Sequence, residues 1–453
     1  MNRRDYERQL ITRADGYAHS YLDGVDDRPA FPPAAAIERL SSFDEPLTDD
    51  GQPAEETVDL LHSHGSPATV GSNGPHYFGF VIGASLPAAA AAERMVLAWD
   101  QCASGWVNSP IAAKLEQIAS RWMLDILDLP RSSAVAFGTS ATACGLGCIA
   151  AARSALLDRA GWNLMEDGLH GAPPIDVVVS ETVHISLKKI LRLLGFGARQ
   201  ITFAPVDAHG RINPAKLPSI GPRTLLCLQA GEVNTGEFDP FEALIGPARE
   251  RGAWVHVDGA FGLWARACRR LHHLTEGIDA ADSWTTDGHK WLNTPYDCAM
   301  AVCRDGERLS ATMNADAPYA TAESFAQKNL TTEFSRRPRG ISAWAALRTL
   351  GRRGVDEMVD RHCRQAQRLA DGLRRHGLHV LNRVVLNQVL ARAETDAQTE
   401  RLMRAVQNDG RIWFGPGRWK GAAAFRLSVS SWRTTDDDID RAIEIVGEHL
   451  KRN

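Results

Sequence analysis

Residues 134–147 read AVAFGTSATACGLG, and the change of character halfway along this stretch decides how the rest of the chain is read. AVAF is a short apolar run suited to a buried strand, and residues 141 to 158 then carry a helix-like pattern. The same succession recurs downstream: DVVVS before a helix-like 182 to 194, then ITFAPV, TLLCLQ, AWVHVD and CAMAVC. Short strand-like runs alternating with helix-length ones predict an α/β fold with a mostly parallel sheet and crossover helices. Ligands of such sheets bind beyond the carboxyl ends of the strands, so the residues that follow each run become the candidates for chemistry.

A chain of 453 residues suits one large and one smaller domain. With 44% hydrophobic and 23% charged residues it can bury a sizeable core, and a net charge of −4 gives no electrostatic case for a nucleic acid or an anionic membrane. The N-terminus, MNRRDYERQL, lacks an apolar signal core, and no run approaches the ~18 apolar residues of a membrane span, so a cytoplasmic protein is expected. Eight scattered cysteines form no CxxC pair, which points to buried thiols and neither a disulfide framework nor a metal site. Residues 1–60, broken by FPP and DDGQP, read as an arm or cap, and 61–340 as the large domain. Residues 341–453 read as a smaller α+β domain with the strand-like LHVLNRVV and FRLSVSS and a last helix in TTDDDIDRAIEIVGEHL. At the end of the large domain, 304–340 lacks periodicity and is expected to form a functional loop.

Three places could carry chemistry. At Gly138–Thr142 a strand exit opens a helix with small hydroxyl residues, which can hold a phosphate on free N–H groups or merely cap the helix. AWVHVD ends on Asp258, a carboxylate that needs a cation if buried; a protonated pyridine nitrogen or an arginine would serve, and Gly259 and Ala260 leave room for a flat ring. In DGHKWLN (287–293) Lys290, one of eight lysines, stands between a histidine and a tryptophan. A partly desolvated amine can attack a carbonyl, and a lysine stem can equally well pack on Trp291. Each place alone has an ordinary reading. A phosphate-binding turn, an acid for a ring nitrogen and a late imine-forming lysine, in that chain order, are the parts that hold pyridoxal phosphate.

With these parts the sequence resembles the group II pyridoxal-phosphate-dependent amino acid decarboxylases, relatives of aromatic amino acid and glutamate decarboxylase, over nearly its whole length. SYLDGVDDRPAFP (20–32) is similar to their N-terminal arm, PHYFGF (75–80) to their substrate-side segment, and SPIAAKLE (109–116) to their SP-x-x-x-x-LE stretch. Ser283, Trp284, Lys290, Trp291 and Leu292 fit the family's lysine signature. The resemblance implies a fold-type I architecture with a seven-stranded sheet, and an imine between Lys290 and the cofactor. It further implies Asp258 on the pyridinium nitrogen, Ala260 and His184 on the two faces of the ring, and Ser140, Ala141, Thr142 and His289 on the phosphate. Tyr319, in the loop after the lysine, matches the tyrosine that protonates the product carbon. Arg426 is a candidate for the substrate carboxylate or a structural ion pair. Tyr77, Phe78 and His76 would line the substrate side, which favours an aromatic or neutral side chain. A homodimer with shared active sites is also implied.

Two departures from the family stand out. AGEVNTGEFD replaces a GTT-like turn and puts Glu232 and Val233 near the cofactor, and Asp287 stands where relatives carry Asn or Ser beside the phosphate. The expected activity is α-decarboxylation of an L-amino acid to its amine. Transamination, retro-aldol cleavage and decarboxylation-dependent aldehyde formation are the alternatives on the same cofactor, and a binding protein with degenerate chemistry is the non-enzymatic one.

Overall fold

The structure is a computed structural model and describes residues 2–314 and 326–452. It divides the chain into two compact units, Ser85–Gln367 with Leu381–Val389, and Met1–Ala84 with Arg368–Val380 and Leu390–Asn453. This partition differs from boundaries at 60 and 340. Residues 75–82 group with the C-terminal part because their backbone is bonded to it. The Phe78 N–H donates to the Trp413 carbonyl at 2.8 Å and the Ser428 N–H to the Phe78 carbonyl at 2.9 Å.

The larger unit is built on a seven-stranded sheet of order β1-β7-β6-β5-β4-β2-β3. Its strands are β1 (Ala134–Gly138), β2 (Asp176–Ser180), β3 (Ile201–Ala204), β4 (Thr224–Gln229), β5 (Trp254–Asp258), β6 (Ser283–Asp287) and β7 (Ala299–Cys303). From β3 across to β6 every pairing is parallel, and β7 runs antiparallel between β6 and β1. Six of them are the runs found in the sequence, and β6, SWTTD, is the seventh. They do not alternate because helices cover both faces, and β4, β6 and β7 are buried throughout.

The helices used below are α1 (Pro110–Ile126), α2 (Ala141–Arg159), α3 (Ile185–Leu193), α4 (Phe241–Glu250), α5 (Gly306–Met313) and α6 (Gly340–Arg375). Helix α2 is central and rich in small residues, which lets it approach its neighbours closely; a Cβ on Gly145 would stand 2.8 Å from the Ile190 side chain of α3. One apolar core joins Ile149, Leu156 and Leu157 of α2 to Val177 and Val179 of β2 and Leu187 and Leu191 of α3. Helix α5 lies inside the expected loop 304–340. Asp305 caps it, accepting the Arg308 N–H at 2.8 Å, and its two turns are too short to show a clear period in the sequence. Helix α6 is broken at Gly351, where φ is 60°.

The smaller unit holds a four-stranded sheet of order β10-β11-β9-β8, from β8 (His379–Val380), β9 (Gln388–Arg392), β10 (Gly415–Trp419) and β11 (Ala422–Ser428). Its helices α7 (Asp396–Asp409) and α8 (Asp436–Arg452) complete an α+β unit. Gly79 is required here, because a Cβ would meet the Trp413 ring at 2.2 Å. All eight cysteines are free, and seven are buried.

Candidate active site

Strand register brings the candidates of the larger unit together. Gln229 pairs with Asp258, and Asp258 pairs with Thr285, so the carboxyl ends of β4, β5 and β6 form one edge. Gly138 and Asp287 both pair with Ala299, from opposite sides of β7, which puts the exit of β1 and the end of β6 in one row. The edge is then laced by backbone bonds. The Gly259 N–H donates to the Thr285 carbonyl at 3.0 Å and the Asp287 N–H to the Ala260 carbonyl at 2.9 Å. Gly259 has no room for a side chain; a Cβ would lie 2.7 Å from that of Leu263. Its smallness serves this close approach.

At the start of α2, Ser140 is the N-cap, and its hydroxyl accepts the Ala143 N–H at 3.2 Å. The preceding N–H of the helix, that of Ala141, donates to Asp287 Oδ1 at 2.6 Å. The other oxygen of Asp287 lies 3.0 Å from Lys290 Nζ. Asp287 is 3% exposed, and its side chain faces the start of α2.

Lys290 owes its place to its neighbours. Trp291 and Leu292 are fully buried, and the Trp291 indole donates to His362 Nδ1 at 2.9 Å. Asn293, at φ 56°, turns the chain and donates its side-chain amide to the Lys290 carbonyl at 3.3 Å and the Trp291 carbonyl at 3.0 Å. With the backbone pinned on both sides, the ammonium is directed to the end of β6 and keeps 22% of its side-chain exposure. His289 is 5% exposed; its Nδ1 accepts the Cys298 N–H at 3.3 Å and its ring stacks on Tyr296 at 4.2 Å. Burial holds this imidazole below its ordinary pKa, against the opposing pull of Asp287, so it is neutral near pH 7. The Asp258 carboxylate accepts the Ala260 N–H at 3.1 Å.

His184 is the N-cap of α3, with Nδ1 2.7 Å from the Ser186 hydroxyl and accepting its N–H at 3.3 Å. The cap fixes the ring past the end of β2, and in the same turn the Thr182 hydroxyl accepts from the Gln229 amide at 3.2 Å. Glu232 follows three residues past the end of β4. Its carboxylate accepts the Asn234 N–H at 2.8 Å, the Thr235 N–H at 2.7 Å and the Thr235 hydroxyl at 3.0 Å, so it closes its own turn. Two participants were missed by the sequence reading, Gln229 and Tyr296. A polar residue closing the run TLLCLQ was the signal for the first, and an aromatic six positions past the lysine was a weak one for the second.

The other candidates lie in the smaller unit. Tyr77 stacks on Trp413 at 4.8 Å, and burial pushes its hydroxyl up to about 12. Phe78 is 1% exposed, a core residue whose backbone bridges Trp413 and Ser428. His76 is committed to Asp438, 2.8 Å away. Arg426 lies on β11 opposite Gly415 of β10, two residues before the strand position that Phe78 bonds. Tyr319 lies outside the described residues.

Comparison with known proteins agrees with this frame. Residues 48–391 match the pyridoxal-dependent decarboxylase conserved domain, and the chain belongs to that family. Tryptophan decarboxylase 1 of Oryza sativa subsp. japonica is 26% identical over 98% of this chain and 93% of its own length. The aromatic-L-amino-acid decarboxylase of Bacillus atrophaeus is 24% identical over 95% of this chain and 93% of its own. A crystal structure of Oryza sativa TDC with PLP and tryptamine superposes with a TM-score of 0.91 at 23% identity, over 100% of this chain and 99% of that one. The protein is therefore a fold-type I carboxy-lyase that uses pyridoxal phosphate to decarboxylate an amino acid.

Proposed function

We propose that this chain converts an aromatic L-amino acid to its amine and carbon dioxide, with Lys290 as the residue that carries the cofactor. The observation that carries the reading is the placement of the Lys290 amine, 3.0 Å from a carboxylate that is itself bonded to the first N–H of α2, at one sheet edge with Asp258. The residues fit pyridoxal phosphate. Lys290 offers an amine for its aldehyde, the start of α2 offers N–H groups and a positive helix end for its phosphate, and Asp258 offers a carboxylate for its ring nitrogen. Bound there, the cofactor supplies an electron sink for the carbon that loses carbon dioxide.

The chain's own residues do the rest. Asp258 keeps the ring nitrogen protonated, since a negative neighbour raises that pKa. His184, held by its cap, and Ala260 would hold the ring, and Ser140, Ala141, Thr142 and His289 would hold the phosphate. Arg426 binds the substrate carboxylate as a two-pronged donor. Tyr319 donates the proton that replaces carbon dioxide on the substrate carbon and recovers one from solvent. The aromatic preference is supported by the tryptophan and tyrosine/DOPA decarboxylases among the relatives and by the aromatic segment at Tyr77 and Phe78.

The working form is a cytoplasmic homodimer. Leu97, Trp106 and Val107 are 63, 50 and 72% exposed in the single chain, large apolar side chains of the kind a second copy would cover. Among the described residues no helix is long and apolar enough to cross a membrane. Carbon dioxide release and amine formation from a panel of L-amino acids test the reading, with Tyr319→Phe as control. Equal amounts of amine and carbon dioxide from tryptophan, tyrosine or DOPA support it. A keto acid, glycine plus an aldehyde, or an aldehyde with ammonia from the wild-type protein points to one of the alternative reactions.

A further inference from the structure

Asp287 is a buried charge at the sheet edge with no part in the scheme above. Its carboxylate is divided between the Ala141 N–H at 2.6 Å and the Lys290 ammonium at 3.0 Å, and His289 Nε2 lies 3.6 Å from Oδ1. An anion at the start of α2 is what the helix end favours, and this side chain already supplies one. A phosphate entering at the same helix start meets a carboxylate that competes for the same N–H and repels it.

We infer that Asp287 is an internal anion that holds the phosphate position at the start of α2 in the cofactor-free protein and withdraws when the cofactor's phosphate enters. The inference rests on the cofactor placement proposed above. Withdrawal breaks the contact to Ala141 and the contact to Lys290 together, so arrival of the phosphate and release of the amine are one event. The residue is thus a positioning residue for loading, and it lowers affinity for the cofactor while it pairs with the Lys290 ammonium. An asparagine keeps an oxygen for the Ala141 N–H and removes the charge.

The test uses apoprotein of the wild type and of Asp287→Asn, with Asp287→Ser as a second variant should the first fail to fold. Each is titrated with pyridoxal phosphate and, separately, with pyridoxal, which has the same aldehyde and no phosphate. Absorbance of the lysine-bound chromophore reports binding, and inorganic phosphate is added as competitor. Removing the charge is expected to tighten pyridoxal phosphate relative to pyridoxal by on the order of tenfold, and to make inorganic phosphate a better competitor by a similar factor. A ratio unchanged from wild type, or lowered, overturns the inference. If borohydride fixes no cofactor on wild-type Lys290, the cofactor placement itself fails; if it does and the ratio stays flat, only the role of Asp287 fails.

Discussion

Glu116 and Arg336 form an ion pair with almost no solvent, their side chains 3% and 1% exposed, joined by two parallel bonds of 2.7 and 2.8 Å. Glu116 lies on α1, in the SPIAAKLE stretch, and Arg336 on the segment that leads into α6. Burial pushes the Glu116 carboxyl up from its ordinary range, and the guanidinium pulls it back. The fit is tight, since a Cβ on Gly340 would lie 2.4 Å from the Glu116 side chain. Replacing Glu116 by Gln preserves shape and one acceptor but leaves the guanidinium buried without the opposing charge. Breaking a buried pair from one side costs about 3–5 kcal/mol, whereas an exposed pair is worth ~1 kcal/mol or less. Urea unfolding of the cofactor-loaded protein, followed by circular dichroism, should show the midpoint falling by roughly 1–2 M. The double variant Glu116→Leu, Arg336→Met removes both charges and should recover most of the loss. A single-variant loss below about 1 kcal/mol would refute the reasoning, because it would mean that solvent or another group already screens the pair.

Three further outcomes are expected. Gly262→Ala puts a Cβ 2.2 Å from the Ala230 carbonyl, behind the Asp258 turn, and should cost roughly 3 kcal/mol in the same unfolding assay. Asp258→Asn should lower kcat by on the order of a hundredfold or more while the protein stays folded, read by carbon dioxide release beside circular dichroism. Asp438 is held at about 2: burial pushes its carboxyl up, but His76 and the Thr435 cap of α8 outweigh that. A lowered folded pKa contributes stability above the ordinary carboxylate range and loses it as pH falls toward about 2. The midpoint of unfolding should therefore drop between about pH 4 and 2, less steeply in Asp438→Asn.

The alternation of strand-like and helix-length runs was enough to read the large unit, because a parallel sheet covered on both faces needs unbroken apolar strands. Lys290 was legible for a related reason: two fully buried neighbours, Trp291 and Leu292, are costly in a surface turn unless they fix something. The unit boundaries were less legible, since they depend on which distant segment bonds to Phe78, and composition does not carry that. What holds the Glu232 carboxylate was not legible, because a short turn can absorb a carboxylate with its own N–H groups, a local outcome invisible in residue type alone. His184 is the N-cap of α3, a role that its residue type alone did not announce.

The central claim is the tether at Lys290, and borohydride reduction of the cofactor-loaded protein followed by peptide mass analysis tests it most directly. The account predicts a pyridoxyl group on the peptide that contains Lys290, and none on any peptide of Lys290→Ala. A label on another lysine, such as Lys188, or full decarboxylation by Lys290→Ala, would contradict it.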